Sequence, residues 1–239
     1  MKILILGDSH CAVNDKESWM ANLQKLTGAK IHCYGEVGCS NYIIYRNFLK
    51  YYNPSYDYIF VMLTAESRTP YVDGDSSLCA IQPDAHPAWN NYSNNDYGLA
   101  VKLYMQYFYD KEFLEWTSYN VVKSIENYPY GSNQKIVWIN CILSKSIYDT
   151  ISNGIIIKNR LLEFSQRELI DINKIQKISQ LKHDQVDCRP NHFTKANQHN
   201  LAKFYANILE KDKNNLLSDT DLDLENVSWV RDPTQLTLL

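Results

Sequence analysis

Ile3, Leu4, Ile5 and Leu6 form the first apolar run of the chain, and Gly7 stops it. An unbroken run this short, with β-branched residues in it, predicts a strand covered on both faces. The period then changes. Across residues 15–26, Trp19, Met20, Leu23 and Leu26 recur at helical spacing, and Gly28 predicts the stop. Residues 30–34 return to a strand pattern. Residues 42–52 predict a second helix with Ile43, Ile44, Phe48 and Leu49 inward, Ser40 and Asn41 placed to cap it, and Pro54 beyond its end. Residues 57–63 are nearly all apolar and predict a third strand. A β-α-β-α-β succession implies parallel strands joined by helical crossovers.

The pattern lapses over residues 69–98, where Pro70, Asp73, Gly74, Asp75, Pro83 and Pro87 precede a run of Asn and Ser. Directly after the third strand, this predicts an irregular insertion, either a wall or lid over a site or a plain surface excursion. Helical spacing resumes over residues 99–127 through Leu103, Tyr107, Phe108, Phe113, Trp116, Val121, Val122 and Ile125. These aromatics read as core rather than a base-stacking platform, because no Lys or Arg cluster accompanies them. Residues 135–140 predict a fourth strand and 153–157 a short fifth. A long helix over 159–181, a polar loop over 183–193 and a final helix from Thr194 to Glu210 follow. The expected architecture is one three-layer α/β/α domain over residues 1–210, built on a flavodoxin-like parallel sheet of about five strands. Residues 211–239 are acidic and polar until Trp229, and predict a tail or an arm that docks on a partner or on another copy of the chain.

Composition acts on this picture mainly by exclusion. A net charge of −3 over 239 residues, with no basic block, argues against a nucleic-acid or membrane-surface binder. No apolar run is long enough to span a bilayer. The run at residues 3–6 reads as a strand rather than an export signal, so a cytoplasmic location is expected. The six cysteines (Cys11, Cys33, Cys39, Cys79, Cys141, Cys188) are scattered without a C-x-x-C pair, which reads as reduced, mostly buried thiols. No metal-ligand spacing occurs near residues 183–192, and no metal or other cofactor is expected.

The candidate chemistry sits at the strand ends. Ser9, Gly38 and Glu66 fall at the carboxyl ends of the first three predicted strands, where open α/β sheets collect their ligands. A serine on a strand-to-helix turn presents its hydroxyl, and the N–H groups of the following turn can face an anion. Gly7-Asp8-Ser9 makes an ordinary capped turn equally well. A nucleophilic serine needs a base and oxyanion donors. His192, late in the chain and just before the final helix, with Asp184 and Asp187 near it in sequence, meets the first need.

These residues resemble the SGNH (GDSL-type) hydrolase superfamily over most of residues 1–210. Gly7-Asp8-Ser9-His10 is similar to the first block, whose serine is the nucleophile. Gly38, in Val37-Gly38-Cys39-Ser40-Asn41, is similar to the second block, whose glycine N–H helps hold the oxyanion. Asn191-His192-Phe193-Thr194 is similar to the last, whose histidine is the base. The resemblance implies a serine esterase or deacetylase with no cofactor, acting on a small acyl ester, with O-acetyl groups on a carbohydrate as one substrate class. Ser9, His192 and Asp187 would be catalytic, and Ser9, Gly38 and Asn41 would form the oxyanion hole. His10, Glu66, Arg68 and Arg189 would contact substrate.

Two departures from the family pattern stand out. Where the third block normally reads Gly-x-Asn-Asp, this chain has Thr64-Ala65-Glu66-Ser67. An ionised carboxylate cannot donate to an oxyanion. Either Glu66 points away, or Ser67, Arg68 or Asn41 supplies the donor, or Glu66 is protonated. The family acid usually lies three residues before the histidine, but position 189 is arginine, which leaves Asp187 or Asp184. Arg189 would bind a substrate carboxylate or phosphate, or pair with one of those two acids. Both departures are similar to those of phage-encoded members, which adds a virion as an expected location and partner for residues 211–239. The alternative is a catalytically degenerate member serving as a carbohydrate-binding or structural virion component.

Overall fold

A computed structural model describes residues 1–12, 16–72, 78–81, 99, 103–104, 106–165 and 193–231, with side chains omitted at 71–72 and 78–81. Its centre is a sheet of five parallel strands, β1 (Lys2–Gly7), β2 (Lys30–Gly35), β3 (Tyr58–Leu63), β6 (Lys135–Asn140) and β7 (Ile155–Arg160), in the order β2-β1-β3-β6-β7. This is the flavodoxin-like order. The chain leaves β1 on one side to form β2 and returns on the other to form β3, so the switch point lies beyond the carboxyl ends of β1 and β3.

Alternation along each strand divides the core into two layers. Ile3 and Ile5 of β1, Phe60 and Met62 of β3 and Val137 and Ile139 of β6 face one layer, with α1 (Trp19–Thr27) and α5 (Lys195–Lys213) packed over them. Leu4 and Leu6, Ile59, Val61 and Leu63, and Ile136 and Trp138 face the other, covered by α2 (Asn41–Tyr51) and α3 (Lys111–Glu126). Ser40 Oγ caps α2 as the sequence suggests, accepting from the Ile43 N–H, whereas α1 starts at Trp19 rather than at residue 15, with Ser18 Oγ accepting from the Ala21 N–H.

Four expectations change. The insertion contains a two-stranded antiparallel ribbon, β4 (Thr69–Val72) with β5 (Leu78–Ile81). The helix expected over 99–127 is divided: the described residues at 99, 103–104 and 106–107 are helical, and a new helix, α3, starts at Lys111, where the Asp110 side chain accepts from the Phe113 N–H. The fifth strand runs on to Arg160 and is followed by a 3₁₀ turn at Leu161–Phe164, so the long helix does not begin at 159; residues 166–181 lie outside the described residues. A short helix, α4 (Lys145–Tyr148), sits between β6 and β7 without having been foreseen.

The boundary at residue 210 also fails. It falls inside α5, and the chain beyond returns to the core: Leu222, Leu224 and Val227 are buried with it. Trp229 stacks on Phe164 with ring centroids 5.0 Å apart and on Phe193 at 5.6 Å. Asn197 accepts from the Val230 N–H at 2.7 Å. Residues 211–231 are therefore part of the domain rather than a free arm. Low hydropathy in this segment hid the few apolar side chains that fix it.

Candidate active site

The Ser9 turn is organised by the residue before the serine. Asp8 is fully buried; its Oδ1 accepts from the His10 N–H at 3.0 Å and lies 2.9 Å from His10 Nδ1. Its Oδ2 lies 3.5 Å from both Thr64 Oγ1 and Arg68 Nη1. Burial pushes the Asp8 carboxyl up, but His10 and then Arg68 outweigh it and hold the group well below the usual carboxylate range. An ionised Asp8 thus closes the turn beneath Ser9, and the Cys11 N–H completes it by donating to Asp8 O at 3.1 Å. Among the described residues, neither Ser9 Oγ nor the Ser9 N–H has a hydrogen-bond partner.

A second turn meets the first from the end of β2. The Cys39 N–H donates to Glu36 O at 3.3 Å, and Gly38 between them has φ +69°, a conformation that a side chain disfavours. The Cys39 thiol donates to Gly7 O at 3.3 Å, and Cys39 O accepts from Arg68 Nη1 at 3.4 Å. The Gly38 N–H makes no hydrogen bond among the described residues. Arg68, with its side chain 9% exposed, therefore spans both turns from the third loop. It acts inside the protein, contrary to its expected contact with substrate.

Three further assignments are corrected. Asn41 is buried and spent: its Nδ2 donates to Thr64 O at 2.9 Å and Ser118 Oγ at 3.2 Å, while its Oδ1 accepts from the Thr64 N–H at 2.9 Å. It ties α2 to the end of β3 and to α3 and has no side-chain N–H left for an oxyanion. Glu66 points away from the serine, with Oε2 accepting from the Ser144 N–H at 3.1 Å at the start of α4. His10 is buried against Asp8 and Phe193 instead of standing at the rim. Asp8 and Thr64 were not singled out by sequence. The signal available for Asp8 was an acid beside a serine in a turn, and Thr64 carries no local one.

His192, Asp184, Asp187 and Arg189 lie outside the described residues. The residue after His192 is described: the Phe193 ring lies 5.6 Å from the His10 ring, centroid to centroid. Thr194 then caps α5 by accepting from the Asn197 N–H. Gln198 in its first turn accepts from the Trp19 N–H at 2.9 Å, and Trp19 Nε1 donates to His10 O at 2.9 Å. The last loop thus re-enters the fold at the Ser9 turn.

Asp8, His10 and Cys141 bring three potential ligand atoms within 4.8 Å of one another. The donor set fits a metal poorly. Asp8 is already shared between His10 and the Arg68 cation, and burial pushes the Cys141 thiol well up, away from the thiolate a metal requires. A separate groove of about 680 Å³ opens at the opposite edge of the sheet, beside Lys135 and Asp212. There Lys135 Nζ holds Asp212 at 2.7 Å and Tyr58 donates to the same acid at 2.7 Å, a closed arrangement remote from Ser9. No helix among the described residues is long and apolar enough to cross a membrane.

No family model matches the sequence, and neither does any curated protein. Among solved structures, the chain is similar to a protein assigned to the lipolytic G-D-S-L family from Desulfitobacterium hafniense, at 11% identity and a TM-score of 0.48, covering 86% of this chain and 98% of that one. It is similar to the psychrotrophic esterase EstA from Pseudoalteromonas sp., at 12% identity and a TM-score of 0.46, over 89% and 98% of the two chains. An acetyl xylan esterase, Est2A, from Butyrivibrio proteoclasticus is similar at 13% identity and a TM-score of 0.42, over 90% of this chain and 65% of that one.

Proposed function

We propose that the chain is a serine ester hydrolase of the SGNH type that removes small acyl groups, with O-acetyl groups on carbohydrates as its substrate class. Ser9 Oγ attacks the ester carbonyl while His192 takes its proton, forming a tetrahedral intermediate. The intermediate collapses to an acyl-serine as His192 returns the proton to the leaving alcohol. Water then repeats the sequence and releases the acid. Asp187 orients the imidazole. The N–H groups of Ser9 and Gly38 hold the oxyanion.

The observation that carries this reading is the meeting of the two turns at the β1/β3 switch point. They leave one hydroxyl and two backbone N–H groups without partners among the described residues, on a base that Asp8 and Arg68 hold rigid. Backbone donors fixed before the reaction stabilise developing charge with little reorganisation, and losing one costs roughly 10²–10³ in rate. The return of Phe193 to His10 supports His192 as the base, because Phe193 directly follows it in the chain. With Glu66 turned to Ser144 and Asn41 spent on Thr64, no side-chain donor from those positions takes part.

Acetate release from p-nitrophenyl acetate and from an acetylated xylan tests the proposal. Turnover that falls at least about 10³-fold in Ser9→Ala and in His192→Ala, with folding intact, supports it. Turnover unchanged in Ser9→Ala overturns it.

A further inference from the structure

Cys11 closes the Ser9 turn and lies against β2. Its carbonyl oxygen accepts from the Cys33 thiol at 2.7 Å, and Cys33 Sγ is also 3.2 Å from Met20 Sδ. Gly35 makes this approach possible: a Cβ there would stand 2.5 Å from the Cys11 carbonyl carbon and 2.6 Å from Cys11 Sγ. Gly35 and Cys33 share one face of β2, so both thiols occupy the same strip of that strand. Cys11 is buried and Cys33 exposed. The Cys33 sulfur thus lies against the Cys11 backbone, while the Cys11 sulfur lies over Gly35, two residues along the same strand. Contact with Cys11 and the Gly35 N–H draw the Cys33 thiol down, whereas burial and then Cys33 push Cys11 up.

We propose that Cys33 and Cys11 are a thiol-modification pair in which Cys33 meets a peroxide oxidant and Cys11 resolves it as a disulfide. In the first step the Cys33 thiolate attacks one peroxide oxygen, the O–O bond breaks, and a sulfenic acid forms with loss of hydroxide. Hydroxide takes the Cys11 proton. The Cys11 sulfur then attacks the sulfenic sulfur, the S–O bond breaks, and hydroxide leaves as the S–S bond forms, becoming water with the proton that Cys33 released on ionising. Sulfur is oxidised by two electrons in all, and the peroxide is reduced by two. The product ties the turn that carries Ser9 to β2. A dithiol restores both thiols.

The roles follow from accessibility and acidity. The exposed, more acidic thiol is the one that reacts with a soluble oxidant, and the buried one is reached only from within. Peroxide treatment of the intact chain, followed by peptide mapping without reduction, reads the result directly and needs no enzymatic activity. The expected product is a Cys11–Cys33 cross-link that dithiothreitol removes. Cys33→Ser, at an exposed position, abolishes it. Cys11→Ser leaves a sulfenic acid on Cys33 that dimedone traps. Oxidation that instead stops as Met20 sulfoxide overturns the proposal. So does Cys33 advancing to sulfinic acid beside a free Cys11, or a cross-link from Cys11 to another cysteine.

Discussion

Asn41→Ala separates two roles that the sequence left open for one residue. As an oxyanion donor, Asn41 would be lost mainly from the rate. As the structure has it, the side chain joins three elements through three buried hydrogen bonds, at 2.9, 2.9 and 3.2 Å. Removing it leaves the Thr64 N–H and C=O and the Ser118 hydroxyl short of a partner in a buried region. Net losses of about 1 kcal/mol per bond give a destabilisation of about 3 kcal/mol, less a few tenths for the better helix propensity of alanine at the start of α2. In a chain of this length that lowers Tm by roughly 6–12 °C. Urea denaturation reads the free energy, and acetyl-ester turnover per folded molecule, well below Tm, reads the rate. The expected result is a large stability loss with turnover within about tenfold of the parent protein, well short of the loss of an oxyanion donor. A turnover loss of 10²-fold or more with unchanged stability would return Asn41 to the oxyanion hole and refute the reasoning.

Other perturbations probe the rest of the architecture. Trp229→Ala removes a ring stacked on Phe164 and Phe193 and the hydrogen bond from Nε1 to Leu224 O at 2.8 Å; a loss of about 2–4 kcal/mol is expected in a denaturant titration. Truncation after Lys213 should prevent stable folding, and a truncated chain melting with the parent would revive the free arm. Asp8 is more acidic folded than unfolded. Its contribution to stability is therefore complete above about pH 4 and drains away as pH falls below that, and Asp8→Asn should flatten the acid limb of the stability profile. Glu66→Gln keeps an oxygen for the Ser144 N–H and should leave turnover within a few-fold; a rise of tenfold or more would mean that position 66 does face the oxyanion.

What the sequence made legible followed physical range. Strands covered on both faces write themselves as apolar runs, so β1, β3 and β6 were read nearly to their ends; the half-exposed edge strand β2 kept enough of its pattern to be read too, and Gly28 marked the end of α1. The parallel sheet and the placing of Ser9 and Gly38 at its carboxyl edge followed from the crossovers. Partner choice over long range was not legible. Nothing near Asn41 announces Thr64 or Ser118, distant by 23 and 77 positions, and nothing near Glu66 announces Ser144. The docking of Trp229 was invisible for the opposite reason, since four anchors in a polar segment do not make a periodicity. Arg68 shows both limits. Its charge suggested a ligand, but a buried carboxylate one strand away claims it.

Covalent labelling of the intact chain with a fluorophosphonate, read by peptide mass spectrometry, tests the nucleophile itself. The phosphonyl group is expected on Ser9 alone, at a rate that collapses in His192→Ala and is abolished in Ser9→Ala. An unlabelled Ser9 in a folded protein, or labelling that His192→Ala leaves untouched, would contradict the assignment of Ser9 and His192 as nucleophile and base.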